Sequence, residues 1–288
     1  LAALDAREGK QESMVEHLEK AMAAAPTALE PRLLLARFYL ASGKPEQVAP
    51  LFTDLVAQQQ QTADVLQLMA LAQLATKDAS SALFSLEKLL KATEETAQIR
   101  HMMALAAAEQ RDTERTVEEL RRALALDENY LPSRIALAKI LLASNEPSEF
   151  DLQMEKLAVL APENPDVLLM QAAAAGRSDD LDAAMRLSEK AFSLAPSGNA
   201  LIALASYEEA AGMRGNALAR LSAWLEKNPD DIPVRLAYAS MLMSDGQEPQ
   251  STTQYAIILQ ASPDNLTALN NQAWILREKT PHRRLNMP

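Results

Sequence analysis

Cysteine is absent from this 288-residue chain, which excludes disulfides and thiolate metal sites and leaves the redox compartment unreadable. Glycine is scarce, at seven residues, and no G-x-G-x-x-G or G-K-[ST] phosphate loop is present. Aromatics make up only 4%. Positive charge is also short: 28 Lys and Arg stand against 39 Asp and Glu, a net charge of −11. That balance repels nucleic acid and anionic lipid and argues against either as the main partner. Long apolar runs are missing too. The longest charge-free stretch, Ala191 to Tyr207, is interrupted by Pro196-Ser197-Gly198-Asn199. A membrane span needs about 20 continuous apolar residues, so this stretch reads as two helix ends and a turn.

What the chain does have is alanine and leucine, residues that lose least on entering a helix. The alanines keep a register: Ala2, Ala36, Ala70, Ala104, Ala138, Ala172, Ala205, Ala239 and Ala273. Every step is 34 residues except a single 33 between Ala172 and Ala205. An exit column follows, once per period: Pro26, Gln60, Glu94, Glu128, Pro162, Pro196, Pro229 and Pro263. A fixed period of 34 is the mark of a helix-turn-helix solenoid, in which each repeat packs on its neighbours.

The unit from Tyr130 to Pro162 shows the grammar. Pro132 fits the first turn of a helix, where its missing N–H costs nothing. Ile135, Leu137, Ala138, Leu141 and Leu142 recur at helical spacing. Ser144 to Pro147 form a turn; Phe150, Met154 and Leu157 mark the buried stripe of a second helix, and Pro162 stops it. Across the periods the second-helix column reads Leu18, Phe52, Leu86, Leu120, Met154, Ser188, Leu221 and Tyr255. Gly9, Gly43, Gly212 and Gly246 each fall seven residues after their alanine, where a left-handed helix-ending conformation is expected.

These features resemble the tetratricopeptide repeat (TPR). The large-small pairs Leu35-Ala36, Leu137-Ala138, Leu204-Ala205 and Tyr238-Ala239 match its first helix, and Ala82, Ala184 and Ala217 its second. Departures are Gln171 and Gln272 at the large position, and Gln60, Glu94 and Glu128 where proline is usual. The resemblance implies an all-α, right-handed alpha-alpha superhelix. It gives one solenoid over residues 1–288, with seven complete pairs at about 29–264 and partial repeats at 1–28 and 265–288. Both ends fall inside a repeat, so the chain reads as a fragment of a longer protein. A narrower resemblance rests on the wording at 193–199, Trp224-Leu-Glu-Lys-Asn-Pro-Asp-Asp231, 262–265 and 268–276. It looks like the C-terminal half of long TPR lipoproteins of the bacterial PEP-CTERM/exosortase system. That implies a periplasmic or outer-membrane-associated parent with an upstream lipid anchor and a link to exopolysaccharide assembly or protein sorting. A cytoplasmic location stays open from the fragment alone.

No constellation carries chemistry, and the chain reads as neither an enzyme nor a holder of cofactor or metal. His17, His101 and His282 lie far apart, with no histidine pair at metal-ligand spacing. His17 reads as a solvated surface residue. Ser85-Leu-Glu-Lys88 has the bare S-x-x-K spelling of some acyl-transfer enzymes but no companion motif. Gly212-Met-Arg-Gly215 reads as a helix-ending turn. The pairs Glu94-Glu95, Glu118-Glu119, Asp179-Asp180, Glu208-Glu209 and Asp230-Asp231 read as solvated charge, because acid-base work needs an apolar cleft that shifts one pKa.

A binding face is the remaining resource. In a TPR-like array the first helices line a concave groove, and helical phase places one set of residues there. It comprises Leu33 and Arg37, Gln67 and Leu71, His101 and Leu105, Ile135 and Lys139. Leu169 and Ala173, Ile202 and Ser206, Leu236 and Ser240, and Asn270 and Trp274 continue it. The set reads as a mainly apolar trough with isolated cations, suited to an amphipathic helix or extended peptide. The lysine and asparagine clamp of chaperone-binding TPRs is lacking, which disfavours a co-chaperone. The reading is a non-catalytic scaffold for a protein or peptide partner. Its rival is the substrate-recognition arm of an enzyme such as a glycosyltransferase.

Overall fold

The period of 34 is built from fixed lengths. A computed structural model describes residues 10–144 and 146–279. The readings made for Ala2, Gly9, Asn145 and His282 lie outside them. The helices are α1 (Gln11–Ala24), α2 (Leu29–Ala41), α3 (Ala57–Gln60), α4 (Ala63–Ala75), α5 (Ala79–Ala92), α6 (Ala97–Glu109), α7 (Thr113–Leu126) and α8 (Leu131–Ala143). They continue as α9 (Pro147–Leu160), α10 (Pro165–Arg177), α11 (Leu181–Leu194), α12 (Gly198–Ala210), α13 (Arg214–Lys227), α14 (Ile232–Ser244), α15 (Glu248–Ala261) and α16 (Leu266–Lys279). First helices such as α6 have 13 residues and second helices such as α7 have 14. Short connections fill the rest. The single 33 has a local cause: the connection at 195–197, between α11 and α12, is one residue shorter than that at 127–130. Gly198 opens α12 directly after it. A Cβ there would lie 2.6 Å from Asp231 Oδ2 and 2.9 Å from Val234 Cγ2.

The chain divides into two compact units, Leu1–Glu149 and Phe150–Pro288, each an all-α array of helix pairs. Its core is the alanine register. Ala36, Ala70, Ala138, Ala172 and Ala239 are fully buried, and Ala104 and Ala205 are 1% exposed. A matching register, Val48, Ala82, Thr116, Phe150, Ala184, Ala217 and Ser251, is also buried. Leu86, Leu120, Leu221 and Tyr255 fill the second-helix column as expected, whereas Met154 is only half-buried and Gln153 is buried beside it. Ala273, on α16, is exposed.

The turn after each first helix uses left-handed backbone. Gly43, Gly212 and Gly246 have φ of 68°, 77° and 74°. Lys77, Arg111 and Asp179 hold the same place at 60°, 60° and 61°, so the turn persists where glycine is missing. Side chains with a Cβ lose about 1–2 kcal/mol there.

One second helix departs from expectation. After α2 the backbone forms two 3-10 turns, Pro45–Gln47 and Ala49–Phe52, instead of a continuous helix. Pro50 is the cause: it lacks an N–H and its ring clashes with the carbonyl one turn back. Phe52 and Leu55 stay buried despite the break. Gln60, standing where proline is usual, caps the broken end, its Nε2 donating to the carbonyls of Leu55 at 3.0 Å and Phe52 at 3.1 Å.

Another register is made of arginines, buried at Arg32, Arg134 and Arg235 and half-buried at Arg100. Arg32, Arg100, Arg134 and Arg235 each precede their alanine by one helical turn. Arg32 Nη2 donates to the Pro26 carbonyl at 2.8 Å, Arg235 Nη2 to that of Pro229 at 2.6 Å, and Arg134 Nη2 to that of Glu128. These carbonyls belong to the exit column, where a helix has ended and its acceptors need partners. Arg100 instead bridges Glu95 and Glu119, reaching Glu119 Oε2 at 2.9 Å.

That last contact corrects the solvated reading of the acidic pairs. Glu119 is 4% exposed and paired with Arg100; Glu208 is equally buried and accepts from Arg220 Nε at 2.9 Å. Asp180 and Asp231 are helix N-caps, accepting from Ala183 N and Val234 N. Trp224 Nε1 also donates to Asp231, at 2.8 Å.

Two stability measurements follow. Lys77→Gly should raise unfolding free energy by about 1 kcal/mol in urea melts, and Gly43→Ala should lower it by about as much. Arg100→Met should cost roughly 3 kcal/mol by stranding buried Glu119, while Arg100→Met with Glu119→Leu should cost clearly less.

Candidate functional site

The expected groove residues divide between the two units. In residues 1–149, Leu33 is 5% exposed and belongs to the core with Leu35 and Leu68, so its assignment to the binding face is corrected. Gln67, Leu71, His101 and Ile135 are half-buried; Arg37, Leu105 and Lys139 are exposed. Leu105 is 43% exposed and lines a cavity of about 400 Å³ with Leu74, Ala108, Glu109 and Arg111. Leu74 and Ala108 are absent from the sequence reading. Both follow their alanine by one helical turn, so extending the same phase one step would have found them.

The expected cations are less available than their sequence suggested. Arg37 Nη2 lies 3.2 Å from Asp64 Oδ1 on the next first helix, an exposed pair of small energetic weight. His101 Nδ1 is 3.0 Å from the hydroxyl of fully buried Ser133. Its ring meets Tyr130 edge-on, centroids 5.7 Å apart. Burial pushes the imidazole below its usual value of 6.5, so it is neutral at neutral pH. These contacts tie α6 to the start of α8. The face is therefore an apolar strip with Lys139 as an exposed cation.

In residues 150–288, Leu169, Ala173, Ile202 and Leu236 are half-buried and Ser206 is exposed, its hydroxyl donating to the Ile202 carbonyl at 2.8 Å. Ser240 Oγ is 3.2 Å from the Tyr255 hydroxyl, which also accepts from Asn271 Nδ2 at 2.8 Å. Ser240 thus serves a buried hydroxyl. Asn270 and Trp274 are exposed on α16, Trp274 to 44%.

The residues weighed for chemistry do other work. Ser85 Oγ lies 2.8 Å from the Gln73 amide, and Lys88 Nζ is 4.3 Å from the Phe84 ring centroid. Gly212 ends α12, as expected. His17 is half-buried, 3.5 Å from Ser13 Oγ on its own helix, rather than fully solvated. Among the described residues no three His, Asp or Glu side chains converge on a metal position. No described helix is long and apolar enough to cross a membrane.

Helix pairs of fixed length, closed at an alanine contact and stacked in register, define the TPR class of solenoid. Residues 15–72 match the tetratricopeptide repeat family model. Solved structures extend the fold to most of the chain. It is similar to a chain in the APC/C hetero-tetramer Cut9–Hcn1, with TM-score 0.69, 16% identity, and 92% of this chain and 52% of that one covered. It is similar to a tetratricopeptide repeat protein from Parabacteroides merdae, with TM-score 0.69, 10% identity and coverage of 86% and 98%. Yeast Tom70 gives TM-score 0.66, 13% identity and coverage of 93% and 59%. At such identities the likeness is one of fold, on which function is not fixed. The chain spans about half the length of the Cut9–Hcn1 chain it matches. No curated protein matches it in sequence.

His101 makes a pH signature. Its folded pKa lies below 6.5, so unfolding takes up a proton as pH falls through 6.5. Stability from this group is full above 6.5, falls on acidification, and levels off below the folded value. Urea melts from about pH 7 to about pH 5 should show the chain losing stability relative to His101→Gln. Parallel curves would mean that His101 does not carry the effect.

Proposed function

We propose that this chain is a non-catalytic interaction scaffold whose first-helix face in residues 1–149 binds an amphipathic helix or extended peptide. The observation that carries the reading is Leu105, 43% exposed beside its 400 Å³ cavity, in phase with half-buried Leu71 and Ile135. Exposed apolar side chains in a regular strip mark interaction surfaces. The polar contacts come from the exposed cations Arg37 and Lys139 by exchange of partners; for Arg37 a ligand carboxylate displaces Asp64, an exchange between exposed charges that costs little. The same fold serves an assembly in the Cut9–Hcn1 hetero-tetramer.

The cellular setting belongs to the same proposal. The wording around Trp224 to Asp231 and 268–276 supports an envelope protein connected with exopolysaccharide assembly or PEP-CTERM protein sorting, its parent held by a lipid anchor. Fractionation of the native parent should place it in the envelope; a soluble cytosolic parent would overturn this part alone.

The binding face is tested with a displayed library of peptides bearing apolar residues at helical spacing. Leu71→Ser with Leu105→Ser should weaken selected binders by roughly 2 kcal/mol or more, about thirtyfold, with helicity retained. Glu118→Lys, a change to an exposed side chain on the second helix, should leave them unaffected. The reverse pattern would move the site to the other face.

A further inference from the structure

The broken second helix at 45–55 leaves an opening of its own. A pocket of about 270 Å³ lies between that segment, α4 and α5. Phe52 and Met69 line it, Phe84 stands beside them 60% exposed, and Gln60, Ser85 and Lys88 supply polar edges. Lys88 is the single charged residue lining the pocket, and its ammonium lies 4.3 Å from the centre of the Phe84 ring.

We propose that this pocket is a second docking site, for a peptide segment carrying a bulky apolar side chain followed directly by a carboxylate. The volume suits one large side chain, and the lining is apolar with few polar groups, as in sites that select by shape and orientation. Phe84, 60% exposed, keeps ring surface not occupied by Lys88 for that side chain to pack against. Lys88, held over the Phe84 ring, places its ammonium within reach of a carboxylate on a residue next to the one that packs on that ring. With Lys88 as the one charged residue lining the pocket, the local charge favours a partner carrying a carboxylate there and disfavours a basic one. The site is separate from the first-helix face. On α4, Met69 and Leu71 point about 200° apart around the helix, so an occupant of the pocket does not cover Leu71. The two surfaces together would let one partner, or two, grip both sides of the same repeat.

The probes are two N-acetylated tetrapeptide amides, Gly-Phe-Asp-Gly and Gly-Phe-Lys-Gly, titrated into the whole chain while the Met69 methyl resonance is followed by NMR. The aspartate peptide should shift that resonance and bind several-fold tighter than the lysine peptide. Lys88→Glu should invert the preference, Phe84→Ser should weaken both, and Leu105→Ser should change neither. An unmoved Met69 methyl overturns the proposal, as do equal affinities for the two peptides. Loss of binding on Leu105→Ser instead of Lys88→Glu overturns it too, and would assign the peptides to the first-helix face.

Discussion

Everything in this fold depends on the contact at the alanine column. From Ala36 to Ala239 these methyls are at most 1% exposed, and a matching register from Val48 to Ser251 is buried with them. A methyl is what the gap between two closely packed helices holds, and a larger side chain would force them apart. Once that distance is fixed, the helix lengths, the left-handed turn and the short connections have little room to vary. This is why the period holds at 34; its single exception comes from one shorter connection, at 195–197, and Gly198 follows it where a Cβ would crowd Asp231 and Val234.

Apolar closure alone leaves the ends of the helices unsatisfied. Second helices stop every period, and the carbonyls they release lie at the seams between repeats. Arg32, Arg134 and Arg235 reach back to those carbonyls, so a buried guanidinium joins the start of one repeat to the end of the one before. Arg100 does a related task through Glu119 and Glu95. A guanidinium suits this place because it keeps its charge and presents several donors in a rigid plane. Aspartates and serines at the helix starts, such as Asp112, Asp231 and Ser197, satisfy the opposite polar ends.

The proposed binding surfaces are what this scheme leaves uncovered. First helices give one side of each pair to the alanine contact and the other to an apolar strip around Leu71, Leu105 and Ile135. Second helices normally present charge outward, as Glu118 does beside Arg122. Where Pro50 interrupts one of them, a pocket opens over half-buried Met69, with exposed Phe84 at its side and buried Phe52 at its base. Two sides of residues 1–149 thus carry apolar surface, for different reasons.

Sequence alone determined the repeat, the helix pairs, the buried columns and the left-handed turns at Gly43, Gly212 and Gly246. Each of these is a local or periodic property: side-chain size at a fixed phase, or a backbone angle that glycine reaches without strain. It also placed Leu71, Leu105 and Ile135 on the first-helix face, because helical phase needs no knowledge of neighbours. Tertiary structure decided the rest. Leu33 shares that phase yet is buried, because packing at the start of the described array covers it. Glu119 and Glu208 look like surface charge in sequence but are buried, since their arginine partners come from other helices. Arg37 and His101 lose their spare charge to Asp64 and to burial beside Ser133 and Tyr130, contacts made across 27 and 29–32 residues of chain. The pocket beside Phe84 needed both. Pro50 interrupts a second helix that the column through Phe52 led one to expect, and only the packing of α4 and α5 against the broken segment turned the break into a cavity.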